Sequence, residues 1–113
     1  MHKLVLTVKR KPGLSIEEFK AHYEDVHAPL AWSHMKPYLA RYVRNHIAPA
    51  PGGAEAPFDC IAELWFHDRA AFEACGAWAR SEEGQVLARD EELFMDRSSM
   101  RPYLVDEIEG VEP

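Results

Sequence analysis

The stretch "SIEEFKAHYEDVHAPLAW", residues 15–32, decides how the first half of the chain folds. Ser15 and Glu18 have the spacing of a capping box, in which a hydroxyl and a carboxylate satisfy the first free backbone donors of a helix. From there Ile16, Phe19, Tyr23, Val26 and Leu30 recur at intervals of three and four, which predicts one apolar stripe. His27 follows Tyr23 by four residues, falls within that stripe and is expected to face inward. Pro29 has no amide hydrogen to offer the carbonyl of Asp25, so the helix is expected to bend, end or restart around His27. A break beside an inward imidazole can open a pocket, and an imidazole with a pKa of about 6.5 shuttles protons without a cofactor. The plainer alternative is a core histidine that hydrogen-bonds a backbone carbonyl at a corner.

Outward from this stretch the pattern alternates between strand and helix. "KLVLTVK", 3–9, has strand periodicity with apolar residues on both faces, and "RKPGLS", 10–15, supplies a turn. "YLARYVRNHI", 38–47, reads as a second strand with Tyr42, Arg44 and His46 on one face and Val43, Asn45 and Ile47 on the other. A Pro/Gly/Ala-rich loop over 48–57 precedes a third strand, "FDCIAELWF", 58–66, which sets Cys60, Ala62, Leu64 and Phe66 against Asp59, Ile61, Glu63 and Trp65. Asp68 is a plausible N-cap for "RAAFEACGAWA", and helix resumes in "SEEGQVLARDEELFM" after a break near Ser81. "SMRPYLVDEIE", 99–109, closes the fold as a strand in which Pro102 favours an edge or bulge, and 108–113 forms an acidic tail. The order β-α-β-β-α-β predicts an α+β domain, a four-stranded antiparallel sheet with helices on one side. Val5, Trp65 and residues of the second strand leave apolar surface on the other side, for which a homodimer through the sheets is the economical answer.

Composition narrows the function classes. The 113 residues suit a single domain, 1–113, and thirteen basic against nineteen acidic side chains give a net charge of −6, a poor match for nucleic acid. No apolar run approaches the roughly 20 residues of a membrane span, and the N-terminal residues lack the pattern of a signal peptide, so a cytoplasmic address is expected. Cys60 and Cys75 fit no metal or redox motif and are expected to be reduced core thiols. No pair of histidines has metal-ligand spacing, and no phosphate loop, dinucleotide fingerprint or nucleophile elbow is present, so neither a metal nor a cofactor is expected.

Four segments resemble the EthD family: "KRKPGLSIEEFKAHYEDVHAPLA", "RYVRNHI", "FDCIAELWF" and "DEELFMDRSSMRPYLVDE". They run in the family's order over nearly the whole chain, and "HAPLA" and the "FMDRSS" turn are the more specific parts. The resemblance implies a ferredoxin-like fold whose sheets pair across a dimer into an α/β barrel. It implies less about chemistry, because relatives include accessory proteins of ether or pollutant degradation and fungal proteins resembling polyketide dehydratases. Structural cousins include muconolactone-type isomerases and cofactor-free monooxygenases.

The resemblance makes His27, in the "HAPL" motif, the candidate acid/base, and Tyr42 resembles a hydrogen-bonding partner in the isomerase cousins. His46 shares the strand face of Tyr42, and both are expected to donate hydrogen bonds to the enolate or leaving oxygen, while Arg44 between them suits an oxyanion or carboxylate if that face lines a pocket. Trp32, Trp65, Phe94 and Tyr103 are candidate walls for an aromatic ligand, with core or dimer contacts as the alternative. Asp59 and Glu63 more simply form structural ion pairs, with partners such as Arg41 or Arg101. The expected function is a cofactor-independent dehydratase or isomerase for a small hydrophobic cyclic or aromatic oxygenated molecule. The alternatives are a non-catalytic ligand-binding or accessory protein, and a cofactor-free monooxygenase.

Overall fold

The computed structural model describes residues 2–111; Met1 and the last two positions of the acidic tail lie outside the described residues. The strands are β1 (His2–Val8), β2 (Leu39–His46), β3 (Cys60–Phe66) and β4 (Arg101–Val105). They form one antiparallel sheet in the order β2-β3-β1-β4. Sequential strands β2 and β3 pair directly, and each remaining connection carries helix, as the split βαβ arrangement requires. β4 lies at one edge, where Pro102, opposite Leu6, interrupts least.

Register fixes the two faces. Leu4, Leu6 and Val8 lie opposite Leu64, Ala62 and Cys60, and Tyr42, Arg44 and His46 lie opposite the same three residues from the other side. All of these therefore share the helix-covered face. The open face carries Lys3, Val5, Thr7, Val43, Asn45, Ile61, Glu63, Trp65, Tyr103 and Val105. Its acids are paired as structural groups, with partners other than Arg41 and Arg101. Lys3 Nζ reaches Glu63 at 3.2 Å, and Arg10 Nη1 reaches Asp59 at 2.6 Å. Arg10 also donates its amide to Asp59 and binds Glu55, tying the 48–57 loop to the end of β1.

Helix α1 (Ile16–His22) starts at the capping box: Ser15 Oγ accepts the Glu18 amide at 3.1 Å, and Glu18 accepts the Ser15 amide at 3.0 Å. The helix does not stop at Pro29. It widens into a π-helical segment, Tyr23–His27, and continues as α2 (Ala28–Met35). The Ala28 amide donates to the carbonyl of Tyr23, five residues back, so the extra residue is absorbed just before the proline whose missing amide would strain an α-helical ladder. This wide turn shifts the inward phase. Phe19, Tyr23, His27, Ala28, Ala31 and Met35 are buried, whereas Val26, expected in the stripe, is 46% exposed.

Helix α3 (Arg69–Arg80) begins at Asp68, whose side chain accepts the Ala71 amide at 2.7 Å. It ends at Ser81, and α4 (Gln85–Phe94) follows. Gly84 at that junction lies against the Trp78 and Ala79 carbonyls, leaving no room for a Cβ. After α4 a short 3₁₀ turn, Arg97–Ser99, leads into β4. Two apolar clusters fill the space between sheet and helices: one built on Met35, Leu39, Leu64, Phe66 and Leu87, the other on Val8, Phe19, Tyr23, Cys60 and Phe94. Both cysteines are free thiols buried in these clusters, and burial pushes Cys60 up to about 12 and Cys75 to about 11. Among the described residues no helix is long and apolar enough to cross a membrane.

Candidate functional site

The wide helical turn presents His27 to a cavity of about 290 Å³ that lies between the two apolar clusters. The sheet contributes Leu6, Tyr42 and Leu64 to its wall, α2 contributes Ala31 and Met35, and α4 contributes Leu87, Ala88 and Glu91. Most of the lining is apolar, and the polar groups are few: His27, Tyr23, Tyr42, Gln85, Glu91 and Arg97.

His27 is 4% exposed. Its Nδ1 lies 2.8 Å from Asp90 Oδ2, and Asp90, itself buried, also accepts from His22 Nε2 at 3.0 and 3.1 Å. A buried carboxylate between two imidazoles is satisfied by both, and in return it fixes the ring orientation of His27. Behind the ring, Phe94 packs at centroid distances of 5.0 Å from His27 and 4.5 Å from His22. With Nδ1 engaged, Nε2 is the nitrogen left for the cavity, where Glu91 Oε2 is 3.9 Å away. Burial pushes the His27 pKa down, and the hydrogen bond and charge of Asp90 oppose that shift only in part. Burial thus favours the neutral ring, and with Asp90 on Nδ1 the Nε2 edge is turned to the cavity and to Glu91.

Tyr42 reaches the same cavity from β2. It lines the wall beside Tyr23, and burial pushes its pKa up to about 12, keeping the hydroxyl protonated at ordinary pH. Arg44 and His46 share its strand face but are engaged elsewhere. Glu24 takes Arg44 Nη2 at 2.6 Å and Nε at 3.1 Å, and His46 Nε2 at 2.7 Å. This clasp, led by the Arg44 hydrogen bond, lowers the Glu24 carboxyl to about 2. The ring of Tyr23 packs edge-on to both His46 and His27, at 5.6 Å in each case.

The aromatic candidates separate in space. Trp32 is partly exposed and lines a shallow depression of about 340 Å³ with Glu24, Pro29, Tyr42 and Arg44, so Tyr42 is shared between depression and cavity. Phe94 is fully buried behind His27 and does not line the cavity. Trp65 and Tyr103 lie on the open face of the sheet, on the far side from His27, and Trp65 stacks under Lys3 and Arg41 at 4.3 and 5.0 Å. The structure thus brings together His27 and Tyr42, and adds Asp90, His22, Tyr23 and Glu91, which the sequence reading did not single out. Asp90 carried a legible signal: it lies three residues after Leu87 and four before Phe94, an inward helical position that an acid occupies only with a partner.

Several solved structures share this fold. An EthD-family protein from Bacillus halodurans superposes with a TM-score of 0.69 at 22% identity, covering 96% of this chain and 100% of its own. An EthD-like protein from Ralstonia eutropha gives 0.65 at 19% identity, over 92% of this chain and 86% of its own. A dimeric ferredoxin-like protein from an uncultured marine organism gives 0.58 at 22% identity, over 96% of this chain and 100% of its own. No curated protein matches the sequence significantly. The family model described as "EthD domain" matches residues 11–98, a span that includes His27, Tyr42 and Asp90; the chain belongs to the EthD family.

Proposed function

We propose that this EthD protein is a cofactor-independent dehydratase or isomerase that moves protons on a hydrophobic, cyclic or aromatic oxygenated molecule. One observation carries the reading: a buried imidazole held at Nδ1 by a buried carboxylate, with Nε2 left to an apolar cavity. A group that only filled the core would need neither the oriented ring nor the space beside it. At about 290 Å³ the cavity is at the lower end for small-molecule pockets, which suits a compact ring system.

In this scheme His27 Nε2 removes a proton next to a carbonyl, and Asp90 stabilises the imidazolium that forms. The Tyr42 hydroxyl, beside Tyr23 in the wall, donates to the oxygen on which enolate charge develops. Arg44 and His46 act one step back, by fixing Glu24 and with it the outer side of Tyr42. Trp32 offers an apolar contact at the depression outside. A non-catalytic accessory binder would use the same cavity without the base, and a cofactor-free monooxygenase would use the same base but require oxygen.

We place the protein in the cytoplasm, in keeping with its two free, buried thiols. We also propose that a second copy covers the open sheet face. Val5, Val43, Ile61 and Trp65 lie there, together with Thr7, whose buried Oγ1 has no hydrogen-bond partner among the described residues.

Deuterium exchange tests the chemistry. Incubated anaerobically with 2-tetralone in deuterated buffer, the wild type should accelerate α-proton exchange, and His27→Gln should lower that acceleration by roughly 100-fold or more. Oxygen uptake with a hydroxylated product once air is admitted favours the monooxygenase, and a bound ketone that never exchanges favours the binder.

A further inference from the structure

Dehydration needs two proton-transfer groups, one to take a carbon-bound proton and one to protonate the departing hydroxyl. The cavity holds a second titratable side chain beside His27. Glu91, the residue after Asp90 on α4, lines the same wall, with Oε2 at 3.9 Å from His27 Nε2. Its Oε1 accepts from Arg97 Nε at 3.2 Å, so one oxygen is anchored and the other is directed toward the imidazole. The two groups arrive from different helices and meet on one side of the cavity.

We propose that Glu91 is the acid partner of His27, and that elimination or isomerisation here is suprafacial, with both proton transfers on one face of the ligand. This rests on the reading of His27 as the base. His27 Nε2 takes the carbon-bound proton, and the electrons of that bond form the new C=C bond. The C–O bond breaks, and the Glu91 carboxyl gives its proton to the departing oxygen, releasing water. The step leaves an imidazolium and a carboxylate 3.9 Å apart. One proton transfer between them, direct or through the released water, restores the starting state without any outside oxidant, reductant or proton.

The environment favours this division of roles. Burial pushes the Glu91 carboxyl up, against the opposing pull of Arg97, while it pushes the His27 ring down. These opposite shifts narrow the gap between the two groups and move a proton shared by the pair toward the carboxyl, in the sense that an acid on Glu91 and a base on His27 require. The other charged or titratable groups around the pair are Asp90 and His22 behind the imidazole, Arg97 on the far oxygen, and the Tyr23 and Tyr42 hydroxyls in the cavity wall.

Two measurements on the whole protein test the pair. In nitrogen-15 NMR titrations of labelled histidine, the His27 ring of the wild type should show two inflections. One of them should vanish in Glu91→Gln, which keeps the contact with Arg97, and return displaced in Glu91→Asp. The second measurement offers a β-hydroxycyclohexanone deuterated at the α-carbon on the face of the hydroxyl. Wild type should expel that deuterium with the water-forming step and also exchange the α-protons of 2-tetralone, and Glu91→Gln should slow enone formation roughly 100-fold. Superimposable titrations overturn the pairing whatever the turnover, and so does retention of the syn deuterium or an unaltered rate in Glu91→Gln. If the titrations differ but neither ketone reacts with wild type, the catalytic role falls together with the reading of His27 as base.

Discussion

At Asp90 one buried carboxylate serves two imidazoles, and the consequences of removing it are specific. Asp90→Asn leaves at most one good acceptor for two ring N–H groups and should cost about 1–3 kcal/mol of stability, measurable by chemical denaturation. It should also lower the His27 pKa further, because the carboxylate is what opposes the effect of burial. Glu24 gives a second residue-scale prediction. Its carboxyl titrates at about 2 in the folded protein against an ordinary 4.5, so the clasp contributes stability above pH 4.5 that is lost as pH falls toward 2. Glu24→Gln should flatten that acid limb in denaturation curves; an unchanged slope would mean that the clasp is not what titrates. His27 and Tyr42 were legible as candidates from spacing and from the family resemblance. Asp90 was harder to read, because its partner lies 63 residues away and an acid at a core position means little until that partner is placed.

Elements explain why the cavity exists. The capping box, the Asp68 cap and the break after Ser81 could all be read locally, since each depends on contacts within a few residues. The wide turn at Tyr23–His27 could not, because Pro29 signals only that an α-helical ladder is interrupted, not whether the chain bends, stops or takes in a residue. Taking one in turned Val26 outward and Ala28 inward, beside His27. Gly84 is the corresponding device on the other side, closing the α3–α4 junction against backbone carbonyls while also lining the cavity. Gly84→Ala must displace that backbone and should cost about 1–3 kcal/mol, with weaker binding of 2-tetralone by calorimetry. Unchanged stability would show that the junction tolerates a side chain.

For the whole molecule, the alternation of each strand fixed which residues share a face, but only the sheet register showed that Tyr42, Arg44 and His46 lie on the helix side with His27. That separates the cavity from the open face, so the proposed catalysis and the proposed assembly would use opposite sides of one sheet. A charge placed amid the open face, Ile61→Glu, should convert a dimer to a monomer in light scattering while leaving 2-tetralone binding within a few-fold. A wild-type monomer would refute the dimer without touching the site.

In the proposed mechanism His27 is a neutral base whose Nδ1 is held by Asp90. Nitrogen-15 NMR of the wild-type imidazole at neutral pH tests it most directly. The prediction is the Nδ1–H tautomer, with protonation beginning only below the ordinary histidine pKa of about 6.5. An imidazolium at neutral pH, or a ring protonated on Nε2 alone, would contradict it.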